Sequence, residues 1–463
     1  MAAKTNSIPT ELGTEKIGKL LKQYALPAII AQTAASLYNM VDSIFIGQGV
    51  GPLAISGLAV TFPLMNLSTA FGTLVGAGAA TMLSVLLGQK NYKAANKVLG
   101  NVVSLNIIIG LVFMVLALIF IDPILYFFGA SENTLPYAKE YMTIILIGNV
   151  ITHLYFGLNA AMRSSGSPKK AMGLTIFTVI FNTILDPIFI FVFDMGIAGA
   201  AWATIIAQTA AMIVVMKHFS DRTRPFHFEK GILNLDIRVA KDSLAIGMGP
   251  FLMNSAACLV TLFINQQLRE YSGDLGIGAY GICNRFIFMF IMICMGLNQG
   301  MQPIAGYNYG ARQYSRVKEV FWKTARLAMV MTTLCFIVGM FIPRLAAGIF
   351  THDDALLDMS SEGMRIMTLV FPVVGFQMIG TNFFQSLGMV RKSVILSLSR
   401  QILFLLPLLY ALPLWFGAKG VWMSFPISDF ISTVLTALML GNLFKKFNKL
   451  NDGDDPSLLG SQL

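Results

Sequence analysis

Gly88-Gln-Lys-Asn-Tyr92 sits between two apolar runs, and 222 positions later Gly310-Ala-Arg-Gln-Tyr314 sits between two more. The same shift lays Gly166-Ser-Pro-Lys-Lys170 on Gly388-Met-Val-Arg-Lys392, and Phe128 on Phe350. A shift of 221 lays Gly196-Ile-Ala-Gly199 on Gly417-Ala-Lys-Gly420, and a shift of 223 lays Pro27 on Pro250. Each match is short, but a nearly constant offset along most of the chain marks an internal duplication, a construction common among secondary transporters. The polar stretch from Lys217 to Asp242 is read as the linker, which divides the chain into lobes 1–230 and 231–463.

The medium follows from composition. Of 463 residues, 56% are hydrophobic and 12% charged, with a mean hydropathy of +0.69. Soluble domains carry about twice that charge. A spanning helix needs about 20 mostly apolar residues, and twelve such segments can be drawn: 24–47, 57–87, 98–121, 135–160, 169–193, 197–219, 243–268, 278–308, 320–344, 361–387, 393–416 and 420–444. They are spans 1 to 12 below. Lys16, Lys19 and Lys22 precede span 1 without a small-residue cleavage site, so that run is read as retained.

The basic residues give the orientation. The N-terminus, the loops 2–3, 4–5, 6–7, 8–9 and 10–11 with their flanks, and the C-terminus hold 27 of the 33 Lys and Arg, Arg400 counted among them. The opposite side holds Lys139, Arg269, Arg344 and Lys419. The positive-inside rule then puts both termini in the cytoplasm and turns the net charge of +10 into a topology signal with no bearing on nucleic acid. The expected fold is an all-α membrane protein with twelve transmembrane helices in two homologous six-helix bundles. Because six is even, both bundles enter from the same side, related by a pseudo-twofold axis along the membrane normal.

Against this apolar background, Asp42 in span 1 and Asp186 in span 5 stand out. A carboxylate at such depth is costly unless it lines a polar cavity or holds a cation. At 1.5 Å per residue Asp42 lies about 27 Å and Asp186 about 25 Å from the cytoplasmic ends of their helices, and Thr204 in span 6 about 10 Å below the outer surface. Asn182 shares a helix face with Asp186, as Tyr38 does with Asp42. Pro187 cannot donate to the Thr183 carbonyl, which leaves a further oxygen acceptor there. Carboxylates, an amide, a hydroxyl and a carbonyl are hard ligands suited to Na⁺ or to one shared proton. The competing reading makes the two acids helix caps near the headgroups. The halves argue against it: Asp42 falls on Asn265 and Asp186 on Leu408, and a structural cap would recur.

Other polar residues have plainer readings. Arg285 and Asp429 lie at similar depth and are expected to form an ion pair; His153 is expected near the cytoplasmic interface. The four cysteines lack metal spacing and read as small core residues, and most of the 27 methionines as core or lipid-facing.

The chain resembles the multidrug and toxic compound extrusion (MATE) family, in its bacterial and archaeal branches, over about residues 15–445. The resemblance rests on Tyr38-Asn-Met-Val-Asp-Ser-Ile-Phe-Ile-Gly47, Arg163-Ser-Ser-Gly-Ser-Pro168, Asn182-Thr-Ile-Leu-Asp-Pro187, Gly196-Ile-Ala-Gly-Ala-Ala-Trp-Ala-Thr204 and Gln302-Pro-Ile-Ala-Gly-Tyr-Asn-Tyr-Gly310. It implies two bundles around a V-shaped cleft and export of cationic or amphiphilic compounds in exchange for Na⁺ or H⁺. It implies a cation site at Asp42, Asn182, Asp186 and Thr204, the four residues also reached from depth, with Na⁺ the only metal. It adds Tyr38 and Asn159 as substrate-cavity residues. Some family members carry further acids in helices 7 and 10; here those helices hold Asn254, Asn265, Gln266 and Gln377.

The resulting expectation is a monomeric, multi-pass antiporter of the inner (plasma) membrane. It has no cofactor beyond its coupling ion, and its partners are small amphiphilic substrates and lipid. The alternatives are a flippase of lipid-linked precursors, which would need several mid-membrane cations where Arg285 alone is clearly embedded, and an exporter of an endogenous metabolite. A membrane-embedded enzyme would need a clustered catalytic set, and none is found.

Overall fold

Backbone crossing a bilayer has no water to bond to, so each segment must satisfy its own N–H and C=O groups. A computed structural model does this with helices. It describes residues 10–229, 231 and 233–455, apart from the side chains at 37–40, 47, 52 and 274. Among the described residues ten unbroken helices are long and apolar enough to cross a membrane, and two bent pairs, each taken as one span, bring the number to twelve. Spans 1 to 3 are Ile17–Ile46, Leu53–Gly88 and Tyr92–Ile119; spans 5 to 9 are Pro168–Val192, Gly196–Ser220, Ile237–Gly273, Leu275–Gly310 and Tyr314–Phe341; spans 11 and 12 are Val390–Phe416 and Ala418–Phe447. Several helices run past their apolar cores, because polar flanking residues continue the turn beyond the hydrocarbon.

Spans 4 and 10, drawn as continuous from sequence, are each broken. Leu135–Ile147 meets Asn149–Ser164 at 54°, and Asp354–Met367 meets Phe371–Ser386 at 59°. Gly148 sits at the first break, and Pro372, which has no N–H to continue the ladder, follows the second. Gly148 falls on Val370 at the 222 shift, so the break itself is duplicated.

The turns repeat with the same offset. Lys90 and Arg312 are both left-handed, with φ of 60° and 57°, and each follows a span as the residue that closes its last turn. Asn91 N–H reaches back to Leu86 O at 2.9 Å and Gln313 N–H to Asn308 O at 2.8 Å, the long bond of a Schellman motif. Gly51 with Gly273, and Gly166 with Gly388, are also positive-φ pairs 222 apart. The Gln302–Gly310 stretch finds its use here: Asn308 Oδ1 accepts from Arg316 Nε at 2.7 Å, locking the turn between spans 8 and 9.

Two compact units result. One contains Ile30–Phe251; the other contains Glu15–Ile29 and the chain from Leu252 onward. The first halves of spans 1 and 7 therefore each join the unit built mainly from the other sequence lobe. In the first unit, a Cβ on Gly78 would lie 1.9 Å from Ser243 O, and one on Gly247 would lie 1.8 Å from Leu74 O. Glycine thus lets spans 2 and 7 touch backbone to backbone. In the second unit Gly296 and Gly300 make the same approach to Ile29 and Ala25 of span 1. These are the 222-shifted counterparts of Leu74, Gly78, Phe251 and Gly247. Linker and span 7 are tied to the first unit by Asn96 to Glu229 (3.0 Å) and by Asp236 N–H to Asn101 Oδ1 (3.0 Å). Asp236 also caps span 7, and the amide of Val239 holds its carboxyl below the ordinary range.

Gly247→Val is expected to lower stability by about 1–3 kcal/mol through overpacking against backbone. Gly173→Ala, where a Cβ would meet nothing within 4 Å, is the control. Thermal unfolding in detergent checks both; equal melting temperatures would refute the close contact.

Candidate functional site

The site lies wholly within the first unit. Span 5 leads into it as a regular helix to Pro187 and continues as a π-helical turn, Ile188–Val192, so the ladder changes register directly after Asp186. Gly199 of span 6 fits against this turn; a Cβ there would be 3.0 Å from the Phe189 carbonyl. Gly49 does the same for span 1, where a Cβ would be 2.4 Å from Ile190.

This packing brings Asp42 and Asp186 side by side with their carboxyl groups within interaction distance. Both are buried, at 5% and 0% exposure, as are Asn182 and Thr204. Asn182 lies against Asp186 and donates from Nδ2 to Thr204 Oγ1 at 3.2 Å; Thr204 donates in turn to Ala200 O at 3.1 Å. Apart from their contacts with one another, Asp42 Oδ1, both oxygens of Asp186 and Asn182 Oδ1 have no hydrogen-bond partner. Among the described residues, neither carboxylate has a basic neighbour. Two adjacent negative charges in a low-dielectric interior repel by several kcal/mol. A proton or a monovalent cation held between them removes that cost, and four buried oxygens without donors are the ligand set a hard cation takes.

The site is closed on one side. Ile46 is one turn beyond Asp42, Ile190 one turn beyond Asp186, and Ala200 one turn before Thr204. The three are 0–2% exposed and pack in one cluster with Leu58, Tyr141 and Ile197. An apolar plug therefore sits on the carboxylates on the side where spans 1 and 5 end and span 6 begins.

The structure thus gathers Asp42, Asn182, Asp186 and Thr204 from three helices. Neither acid is a helix cap: Asp42 lies inside the helix Ile17–Gly49, and the Asp186 oxygens accept no backbone N–H. Tyr38 is on the same helix, but its side chain lies outside the described residues. Asn159 is buried elsewhere, its Nδ2 donating to Ala171 O at 3.0 Å, about 22 Å along span 5 from Asp186.

Two expectations need correction. Asp429 does not pair with Arg285, which is exposed; it accepts from Arg400 Nε at 2.6 Å. Arg400, counted with the basic flank of loop 10–11, lies ten residues into span 11, Val390–Phe416. His153 is not interfacial but fully buried, its Nε2 at 2.9 Å from Ser68 O and Asn149 bonded to the same serine. Span 4 turns at Gly148, and that bend carries His153 into the bundle. Three of the four cysteines are buried and none is in a disulfide.

Comparison with known proteins gives the class. The fold and the buried acids describe a multi-pass membrane transporter rather than an enzyme. The chain belongs to the MatE family, whose pattern it matches over residues 27–188 and 246–411. It is 28% identical over 429 residues to the multidrug export protein MepA of Staphylococcus aureus (strain MRSA252), covering 91% of this chain and 93% of MepA. The structure of the MATE multidrug transporter DinF-BH is 34% identical, with a TM-score of 0.87, and the match covers 96% of this chain and 98% of that one. The outward-facing conformation of a multidrug resistance MATE family transporter of the MOP superfamily shares the fold at a TM-score of 0.89 and 21% identity, covering 97% of this chain and all of that one.

Asp186→Asn supplies a donor to Asp42 and removes the repulsion. In alkaline, Na⁺-free detergent it is expected to stabilise the protein by about 1–2 kcal/mol. A lower melting temperature would mean that the pair is needed for folding.

Proposed function

We propose that the protein is a multidrug antiporter: it exports cationic or amphiphilic compounds in exchange for Na⁺ or H⁺, which occupies the Asp42–Asp186 pair with help from Asn182 and Thr204. The observation that carries this is a pair of buried carboxylates without a basic neighbour among the described residues. The names of MepA, a multidrug export protein, and of DinF-BH, a multidrug transporter, support the substrate class. A coupling ion enters from outside when the apolar plug parts, and neutralises the pair; repacking of span 1, which contains Pro27, then releases the exported compound. Reset to the inward state, the transporter loses the ion to the cytoplasm and loads substrate again. Tyr38 and Asn159 are assigned to the substrate cavity. The chain works as a monomer in the plasma membrane with both termini in the cytoplasm. One charge crossing 100 mV yields about 2.3 kcal/mol, enough to hold roughly a 50-fold substrate gradient.

Asp42→Asn is expected to abolish dye efflux from inverted vesicles while the protein still reaches the membrane. Separate imposed Na⁺ and pH gradients identify the ion. Efflux retained in Asp42→Asn under both gradients would reject the site.

A further inference from the structure

The second unit also buries an acid, but deals with its charge differently. Asp429 of span 12 is 3% exposed and accepts from Arg400 Nε at 2.6 Å. Ser428 Oγ donates to the Arg400 carbonyl at 2.8 Å, fastening span 12 to the same turn of span 11. That turn is π-helical, Ser399–Leu405. Tyr280 also faces Arg400, and it packs on Trp422 and Phe425.

Spans 11 and 12 are the duplicates of spans 5 and 6, the helices that carry Asp186 and Thr204. At the 222 shift Arg400 falls on Thr178, one turn before Asn182; at 221 Asp429 falls on Gln208, one turn after Thr204. Both displacements run toward the same ends of the two helices, so the ion pair lies on the duplicated helix pair, Arg400 about two turns from the counterpart of Asp186 and Asp429 one turn from that of Thr204. In the first unit those counterparts are uncharged: Thr178 donates to Leu174 O, and Gln208 is bonded to Thr152. There the acids have no basic partner among the described residues; here the acid has a cation attached to the chain.

We propose that Asp429 marks a second monovalent-cation site whose permanent occupant is the guanidinium of Arg400, so that the C-terminal unit exchanges no ion and one ion site per chain drives transport. The inference rests on the reading that Asp42 and Asp186 hold the exchangeable ion. A tethered cation cannot leave with the transport cycle, and it keeps Asp429 neutralised at every stage. Removing Arg400 would leave a buried charge that a mobile Na⁺ or H⁺ must meet.

The test is rhodamine dye efflux from proteoliposomes driven by imposed Na⁺ or H⁺ gradients, with the Hill coefficient for the driving ion as the readout. Arg400→Gln is expected to raise it from about 1 toward about 2. Adding Asp429→Asn should return it to the single-ion profile with efflux restored. Because a lone Asp429 can hinder folding, the double variant, which leaves no net buried charge, also carries the test by itself. Loss of efflux in a folded double variant overturns the proposal, because the pair would then be needed for substrate or motion. So does a single-ion profile in Arg400→Gln. Asp42→Asn run alongside separates the two readings: if it still couples efflux to the ion, the first-unit site fails; if it is inactive while Arg400→Gln keeps a single-ion profile, only the tethered cation fails.

Discussion

Two carboxyl groups buried side by side in a lipid-embedded bundle, with no basic neighbour among the described residues, are the constraint around which the first unit is arranged. Asp42 and Asp186 are tolerable only where lipid is excluded and a cation can be received. Lipid is excluded by close packing that few residues permit. Gly49 admits Ile190, Gly199 admits the Phe189 backbone, and Ile46, Ile190 and Ala200 close over the acids. Asn182 links Asp186 to Thr204 and so fixes span 5 against span 6 at the same level. The π-helical turn after Pro187 belongs to the same arrangement, because an altered ladder re-aims the residues that follow the acid.

Duplication preserved geometry more faithfully than chemistry. Lys90 and Arg312 keep the same left-handed turn, the breaks in spans 4 and 10 recur at one offset, and the glycine contacts of span 2 with span 7 reappear as those of span 8 with span 1. These features concern backbone, and backbone must be satisfied identically in both copies. Side chains facing the bundle interior are free to diverge once the helices pack. Two carboxyl groups stand together in one copy, and an Arg400–Asp429 pair stands one to two turns away on the duplicated helices of the other.

The sequence by itself determined the medium, the number of spans, the duplication and the four residues of the candidate site. Each is written in local pattern: hydropathy over about 20 residues, a repeated offset, and helical spacing with depth counted from a helix end. Only the tertiary structure decided which polar groups meet. Arg400 reads as a loop flank when basic residues are sorted by side, although it lies within the drawn span 393–416, and its partner Asp429 is 29 residues away on another helix. His153 looked interfacial because depth counted along a straight span ignores the bend at Gly148. The division into units eluded the linear reading for a related reason: the first halves of spans 1 and 7 join the unit where their glycine contacts lie, and contact between helices depends on side-chain volume across a gap that no single segment encodes.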